Sequence, residues 1–203
     1  MKHIIKDGSN ENLFILLHGT GGDAESLFPI LRYLDPEATG IGIQGEVVES
    51  GMNRYFARNS DGSFDLASLA EATTRLYQTI EKLRTRNDLK DKPVLVAGYA
   101  NGANIIQSLL KDHSTDYRLA LIFHPSLTRG DESYRQQKDM KVLITSGAND
   151  PYITEEAFLQ VERSLKDAGI PTEVFSHDKG HSLIPAELDK ARDLVRALSD
   201  RDQ

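Results

Sequence analysis

Short, almost uniformly apolar runs recur along this chain, and between them lie stretches whose apolar residues repeat every three or four positions. The runs cover residues 13–17, 40–43, 94–97, 119–123, 142–145 and 172–175. Each is too short for an ordinary helix and is bounded by Gly, Pro, Asp or Asn, which reads as a strand. FILL, VLVA and LALIF show no polar alternation, so they predict strands covered on both faces and a largely parallel sheet. Leu66, Leu69, Thr73, Leu76, Ile80 and Leu83 line one helical face, and Phe158, Val161, Leu165 and Ala168 line another. Thr154 is placed to cap the second of these, with Gly169 and Pro171 as its stop. Leu188, Ala191, Leu194, Val195 and Leu198 form a last stripe, with Pro185 suited to the first turn. Strands alternating with such helices imply right-handed crossovers and a doubly wound, three-layer α/β domain with a mostly parallel central sheet. No linker, repeat or low-complexity tract interrupts it, so a single domain is expected over residues 1–203.

Charge and composition narrow the function. The 203 residues carry 24 basic against 31 acidic side chains, a net charge of −7, which leaves no broad cationic surface for nucleic acid or anionic lipid. With 0 cysteines, disulfides, thiolate zinc sites and a cysteine nucleophile are excluded. The start, MKHIIKDGSNEN, lacks an apolar signal core, and no apolar run approaches membrane-spanning length. A cytoplasmic location is the expectation.

In a sheet of this kind function collects on the loops beyond the carboxyl ends of the strands. After FILL comes His18-Gly19-Thr20-Gly21-Gly22, and after VLVA comes Gly98-Tyr99-Ala100-Asn101-Gly102-Ala103. Later loops carry His124-Pro125-Ser126, then Ser146-Gly147-Ala148-Asn149-Asp150-Pro151, then Ser176-His177-Asp178-Lys179-Gly180-His181. Gly98-x-Ala100-x-Gly102, between a strand and a helix starting at about Asn101, has the setting of a nucleophile elbow, G-x-S-x-G. Its central residue is Ala, and a methyl group cannot attack a carbonyl. The order Ala100, Asp150, His181 is nevertheless that of nucleophile, acid and base in an α/β-hydrolase. Asp150 would accept the Nδ1 hydrogen of His181 and turn Nε2 toward residue 100. Backbone N–H groups near Thr20 and at Asn101 would converge on one oxyanion.

LFILLHGTGGD, MNRYF, VAGYANGANI, SGANDPYI and GHSL stand in order along almost the whole chain. On these the sequence resembles the bacterial phospholipase/carboxylesterase family, the acyl-protein-thioesterase-like esterases of the α/β-hydrolase superfamily. Members commonly show a G-[FY]-S-x-G-A elbow, so the chain departs from them at Ala100. The resemblance implies that Ala100 takes the nucleophile's place, Asp150 the acid's and His181 the base's, with Thr20 and Asn101 as oxyanion donors. It implies a serine carboxylesterase or thioesterase acting on a small-molecule ester or thioester, with no metal or organic cofactor. Family members often pair, so a homodimer is expected as one form. Ala100 reads either as an engineered replacement of Ser, leaving an inactive form, or as the mark of a natural non-catalytic ligand-binding protein. The retained acid and base favour the first. Only a short stretch separates His124 from Lys141, so no large lid domain is expected, and an open site would take small or flexible acyl groups.

Other residues carry plainer readings. His18, before Gly at a strand end, is expected to bond the loop backbone. His124 either lines the pocket or is a partly buried histidine with a local partner. His177 precedes His181 by four residues at a strand end, a poor arrangement for two metal ligands, and His3 and His113 are expected at the surface. Residues 19–22 could form a phosphate nest, but neither G-x-G-x-x-G nor a Walker Lys-Ser/Thr pair is present. Met52, Tyr55 and Phe56, in a loop, line an acyl pocket or anchor that loop, and Tyr152 beside the acid reads the same way. Met52, Tyr55 and Tyr152 are taken as the substrate contacts. The acidic residues along the helices read as solvated faces.

Overall fold

The computed structural model describes residues 1–201. In chain order the elements are β1 (His3–Lys6), β2 (Leu13–Leu17), α1 (Phe28–Leu34), β3 (Thr39–Ile43), β4 (Val47–Glu49), β5 (Met52–Arg54), α2 (Leu66–Arg86), β6 (Val94–Tyr99), α3 (Asn101–Asp112), β7 (Leu119–Phe123), β8 (Lys141–Gly147), α4 (Glu155–Asp167), β9 (Thr172–His177) and α5 (Pro185–Arg201). Seven strands form one sheet in the order β1-β3-β2-β6-β7-β8-β9, and only β1 runs antiparallel to its neighbour. The hairpin β4-β5 stands apart. It places Met52 on a short strand where a loop was expected.

The core follows from alternation along the central strands. Leu13, Ile15, Leu17, Val94 and Val96 point to one face, where the apolar stripes of α2, α3 and α4 cover them. Phe14, Leu16, Leu95 and Ala97 point to the other, against α1 and α5. Both faces of β2 and β7 are buried throughout, as their unbroken apolar runs require. Asp65 caps α2 by accepting the Ser68 N–H, and Thr154 caps α4 by accepting that of Ala157.

Strand β2 pairs with β3 on one side and β6 on the other, so the direction in which the sheet grows reverses between β2 and β6. That reversal opens a crevice beyond their carboxyl ends. No helix or strand lies between β7 and β8, and no multi-helix cap roofs the crevice among the described residues.

Candidate active site

The corner between β6 and α3 is built around Ala100, whose backbone takes φ 51 and ψ −106. A non-glycine residue there stores on the order of 1–3 kcal/mol of strain. The corner is held by Ala100 N–H donating to Phe123 O at 3.0 Å and Asn104 N–H donating to Ala100 O at 2.9 Å. Its flanking glycines are sterically required. A Cβ on Gly98 would lie 2.6 Å from the Gly102 carbonyl carbon, and one on Gly102 would lie 2.0 Å from Leu17 O. Helix and strand therefore approach closely enough to lift residue 100 into a cavity of about 780 Å³, which Ala100, Asn101, Thr20 and His181 all line. That volume suits a small organic ligand.

Asp150 and His181 come from the loops after β8 and β9. Asp150 Oδ2 accepts from His181 Nδ1 at 2.7 Å, and its Oδ1 accepts the Tyr152 N–H at 2.8 Å. The Asp150 side chain is fully buried and that of His181 is 22% exposed, so the histidine alone of the pair meets the cavity. A carboxylate only accepts, which puts the hydrogen on Nδ1 and leaves Nε2 as the basic nitrogen. Tyr99 Oη donates to the His181 carbonyl at 2.5 Å, and the Tyr152 ring lies 4.7 Å from the imidazole, so His181 is braced from two sides. Burial, then the charges of Asp150 and Glu187, raise the pKa of Tyr99, which keeps it a donor.

On the other wall, the N–H groups of Gly21 and Gly22 are committed to Asn53 O and Gly19 O, each at 3.0 Å, whereas that of Thr20 has no such partner among the described residues. Asn101 opens α3, where first-turn N–H groups lack intrahelical acceptors. Its side chain is fixed by the Tyr55 N–H donating to Oδ1 at 2.8 Å, while Nδ2 is buried with no partner. Arg54, 5% exposed, donates to Thr20 Oγ1 at 2.9 Å and to Phe56 O at 3.2 Å. Burial, then Arg58, depresses its pKa, and its nearest carboxylate oxygen, on Glu49, is 3.9 Å away. Glu49 forms its close pair with Arg58 instead. Both arginines line the cavity. Both lie within or beside MNRYF, but nothing local in that sequence marks an arginine as facing a cavity.

Met52 and Tyr152 line the cavity with substantial exposure, but Tyr55 does not line it. The Tyr55 ring is buried and stacked on His18, and its hydroxyl donates to Ile43 O at 2.6 Å while accepting the His18 N–H at 3.0 Å. Tyr55 is thus a loop anchor, as is the buried Phe56. His18 bonds backbone at both ring nitrogens, to Gly19 O and Gly45 N. His3 is exposed, whereas His113 is half-buried under a stacked Tyr77 ring because α2 packs over α3's end. His124 lies behind Asp150 with no exposure, bonded to Glu187, and does not line the cavity. Glu187 itself is fully buried, which corrects the reading of helix acids as uniformly solvated. His124, Asp150 and His181, and also His124, His177 and Glu187, bring potential metal-ligand atoms within 4.8 Å of one another.

A model of the dienelactone hydrolase family matches residues 55–193. MhqD of Bacillus subtilis (strain 168), which bears the name of a hydrolase, is 35% identical over 193 residues, covering 95% of this chain and 96% of its own. The crystal structure of a Bacillus cereus carboxylesterase superposes with a TM-score of 0.92 at 29% identity, over 97% of this chain and 94% of that one. The structure of YahD with malic acid gives a TM-score of 0.89 at 28% identity, over 97% and 98% of the two chains. The resemblance read from the sequence therefore holds at the level of esterases of this fold, while the matching family is that of the dienelactone hydrolases.

Proposed function

The chain belongs to the dienelactone hydrolase family and has the α/β-hydrolase fold of carboxylesterases, and on that premise we propose that it carries the machinery of a serine-type ester or thioester hydrolase with Ala100 in the nucleophile's place. The observation that carries this reading is the 2.7 Å pair of His181 and Asp150, whose histidine lines the cavity that the strained Ala100 corner also lines. With Ser at position 100, His181 Nε2 takes the hydroxyl proton as oxygen attacks the acyl carbon. Asp150 holds the tautomer and stabilises the imidazolium that forms. The N–H groups of Thr20 and Asn101 receive the oxyanion. His181 returns its proton to the leaving group, then activates water to release the acid. Every proton transfer is supplied by these side chains, so the reading needs no metal or organic cofactor. A cytoplasmic location and a homodimer as one form go with the proposal as expectations.

Two guanidiniums against the one carboxylate of Glu49 make this wall cationic. That supports a small ester whose acyl or alcohol part bears an acidic group, and the malic acid in YahD is such a compound's carboxylic relative. Met52 and Tyr152 supply the apolar contact.

The test is hydrolysis of a chain-length series of p-nitrophenyl esters by the chain and its Ala100→Ser variant. Loss of a triad nucleophile costs on the order of a million-fold in kcat, so serine should restore turnover by several orders of magnitude. Absence of turnover from both proteins with every ester would overturn the reading. Ala100 itself favours a second reading, a non-catalytic ligand-binding protein on a hydrolase scaffold. A Ser codon at position 100 of the source gene marks an engineered, inactivated enzyme, and an Ala codon supports the binding protein.

A further inference from the structure

A base and two oxyanion donors surround a side chain that cannot attack, and that combination has a chemistry of its own. Asp150 Oδ2 accepts from His181 Nδ1 at 2.7 Å, so Nε2 is the nitrogen that carries the lone pair. His181 lines the same cavity as Ala100, Thr20 and Asn101. The opposite wall is held without any help from the side chain at position 100. Gly21 N–H donates to Asn53 O at 3.0 Å, Asn53 Nδ2 donates to Gly22 O at 2.8 Å, and Arg54 donates to Thr20 Oγ1 at 2.9 Å. The next residue, Tyr55, donates its N–H to Asn101 Oδ1 at 2.8 Å. Three consecutive residues at the end of the β4-β5 hairpin thus hold both donor loops, and the corner keeps φ 51 with no nucleophile to present.

When a serine attacks an ester, its oxygen gives a proton to the histidine and bonds the carbon whose oxygen enters the oxyanion hole. When a ketone enolises, its α-carbon gives a proton to a base and is already bonded to the carbon whose oxygen becomes negative. The two patterns superpose atom for atom, with the α-carbon in the place of the serine oxygen. A hydroxyl at position 100 would fill that place, and the Ala100 methyl leaves it open. A positioned base together with donors aimed at the carbonyl oxygen is the equipment by which enzymes remove protons beside carbonyl groups.

We propose that the chain as it stands abstracts a proton from the carbon α to the carbonyl of small oxo acids. His181 Nε2 takes the α-proton, the C–H electron pair becomes the carbon–carbon double bond of the enolate, and the carbonyl π pair moves onto the oxygen between the N–H groups of Thr20 and Asn101. Return of a proton from His181 to that carbon regenerates the ketone, so the net result is exchange or epimerisation at the α-position and no co-reactant is consumed. This activity rests on the base and oxyanion donors assigned above, but it needs no nucleophile. Arg54, 5% exposed, has its nearest carboxylate oxygen 3.9 Å away on Glu49, which suits a ligand that brings a carboxylate of its own to that wall.

The test follows loss of the α-proton signals in D₂O by proton NMR, with the unaltered chain and pyruvate or levulinate, and with neutral acetone for comparison. A positioned base and an oxyanion donor each contribute on the order of a hundredfold or more. Exchange of the bound oxo acids should therefore run at least about a thousandfold faster than in buffer, and acetone should lag behind them. His181→Ala should cost about a hundredfold or more. Ala100→Ser should refill the place of the α-carbon and lower exchange about tenfold or more, while it gains ester hydrolysis. Exchange at the buffer rate with both oxo acids overturns the proposal, as does exchange that survives His181→Ala or that Ala100→Ser leaves unchanged. Acetone exchanging as fast as the oxo acids would overturn the substrate class. Ester hydrolysis by Ala100→Ser without exchange by the unaltered chain would strike this proposal alone. Exchange by the unaltered chain without hydrolysis by Ala100→Ser would strike the hydrolase reading alone. Circular dichroism checks that both variants fold, and His181→Gln replaces His181→Ala if the latter does not.

Discussion

Strands β6 and β7 lie side by side, and each runs into the same kind of corner: Ala100 at φ 51 and His124 at φ 53. Each corner is stitched to the next strand along, Ala100 N–H to Phe123 O at 3.0 Å and His124 N–H to Thr145 O at 3.2 Å. What each does with the strain differs. The Ala100 corner lifts its side chain into the open cavity, where only a methyl is present. The His124 corner turns an imidazole into a closed cluster with Asp150, Glu187 and His177. Strained backbone persists where the surroundings over-determine it. At Ala100 close packing of glycines does so, and at His124 a set of buried charges.

The largest effects lie on the cavity side. In the Ala100→Ser background, His181→Ala should abolish the regained ester hydrolysis, a fall on the order of a million-fold in kcat. Retained activity would show that another group is the base. Asp150→Asn in that background should cost about ten thousand-fold, because an amide can donate to Nδ1 and hold the wrong tautomer. A loss of tenfold or less would mean that Asp150 is structural.

Glycine substitutions compare the two corners directly, with thermal unfolding as the readout. His124→Gly relieves the backbone but strips Glu187 and Asp150 of a shared partner, and breaking a buried pair costs about 3 kcal/mol or more. For a chain of this size that is a fall of about 6–12 °C in Tm. Ala100→Gly removes strain and only a methyl, so it should gain about 1 kcal/mol after the entropy cost of glycine, a rise of about 2–4 °C. If both variants shift Tm in the same direction, the distinction between the corners fails.

Much of the cavity side could be read from the chain because its residues sit at fixed places after strands. Gly98-x-Ala100-x-Gly102, Asp150 and His181 follow β6, β8 and β9 in the order the chemistry demands. The strands themselves run two residues beyond the expected ends at 97, 145 and 175. Gly98, Ser146 and Ser176 look like turn formers, yet pairing with neighbouring strands extends the ladder through them. β1 escaped notice because HIIK is a short edge with polar ends. Tyr55 was misplaced because an aromatic beside a pocket strand and one beneath it have the same local sequence. Glu187 could not be read at all. An acid after Pro185 suits any solvated first turn, and its burial comes from His124, brought from a distant strand.

Acid titration gives the smallest effect and a separate check on the closed cluster. The Glu187 pKa in the folded chain lies below the ordinary value of 4.5, so on acidification the unfolded state takes up this proton first. Its stabilising contribution is complete above about pH 4.5 and is lost as pH falls through the folded value. His18 gives a second limb at higher pH. Burial lowers its pKa from 6.5, so stability begins to fall once the pH drops below that value. Urea midpoints measured from pH 7 to pH 3 should therefore decline in two stages. In Glu187→Gln the protein should start less stable, keep the His18 stage and show a shallower later one, the remainder coming from other carboxylates held below their usual range, such as Glu46, Asp116 and Glu132. A lower stage of unchanged steepness would mean that other carboxylates carry the acid limb and that Glu187 is not held ionised by His124.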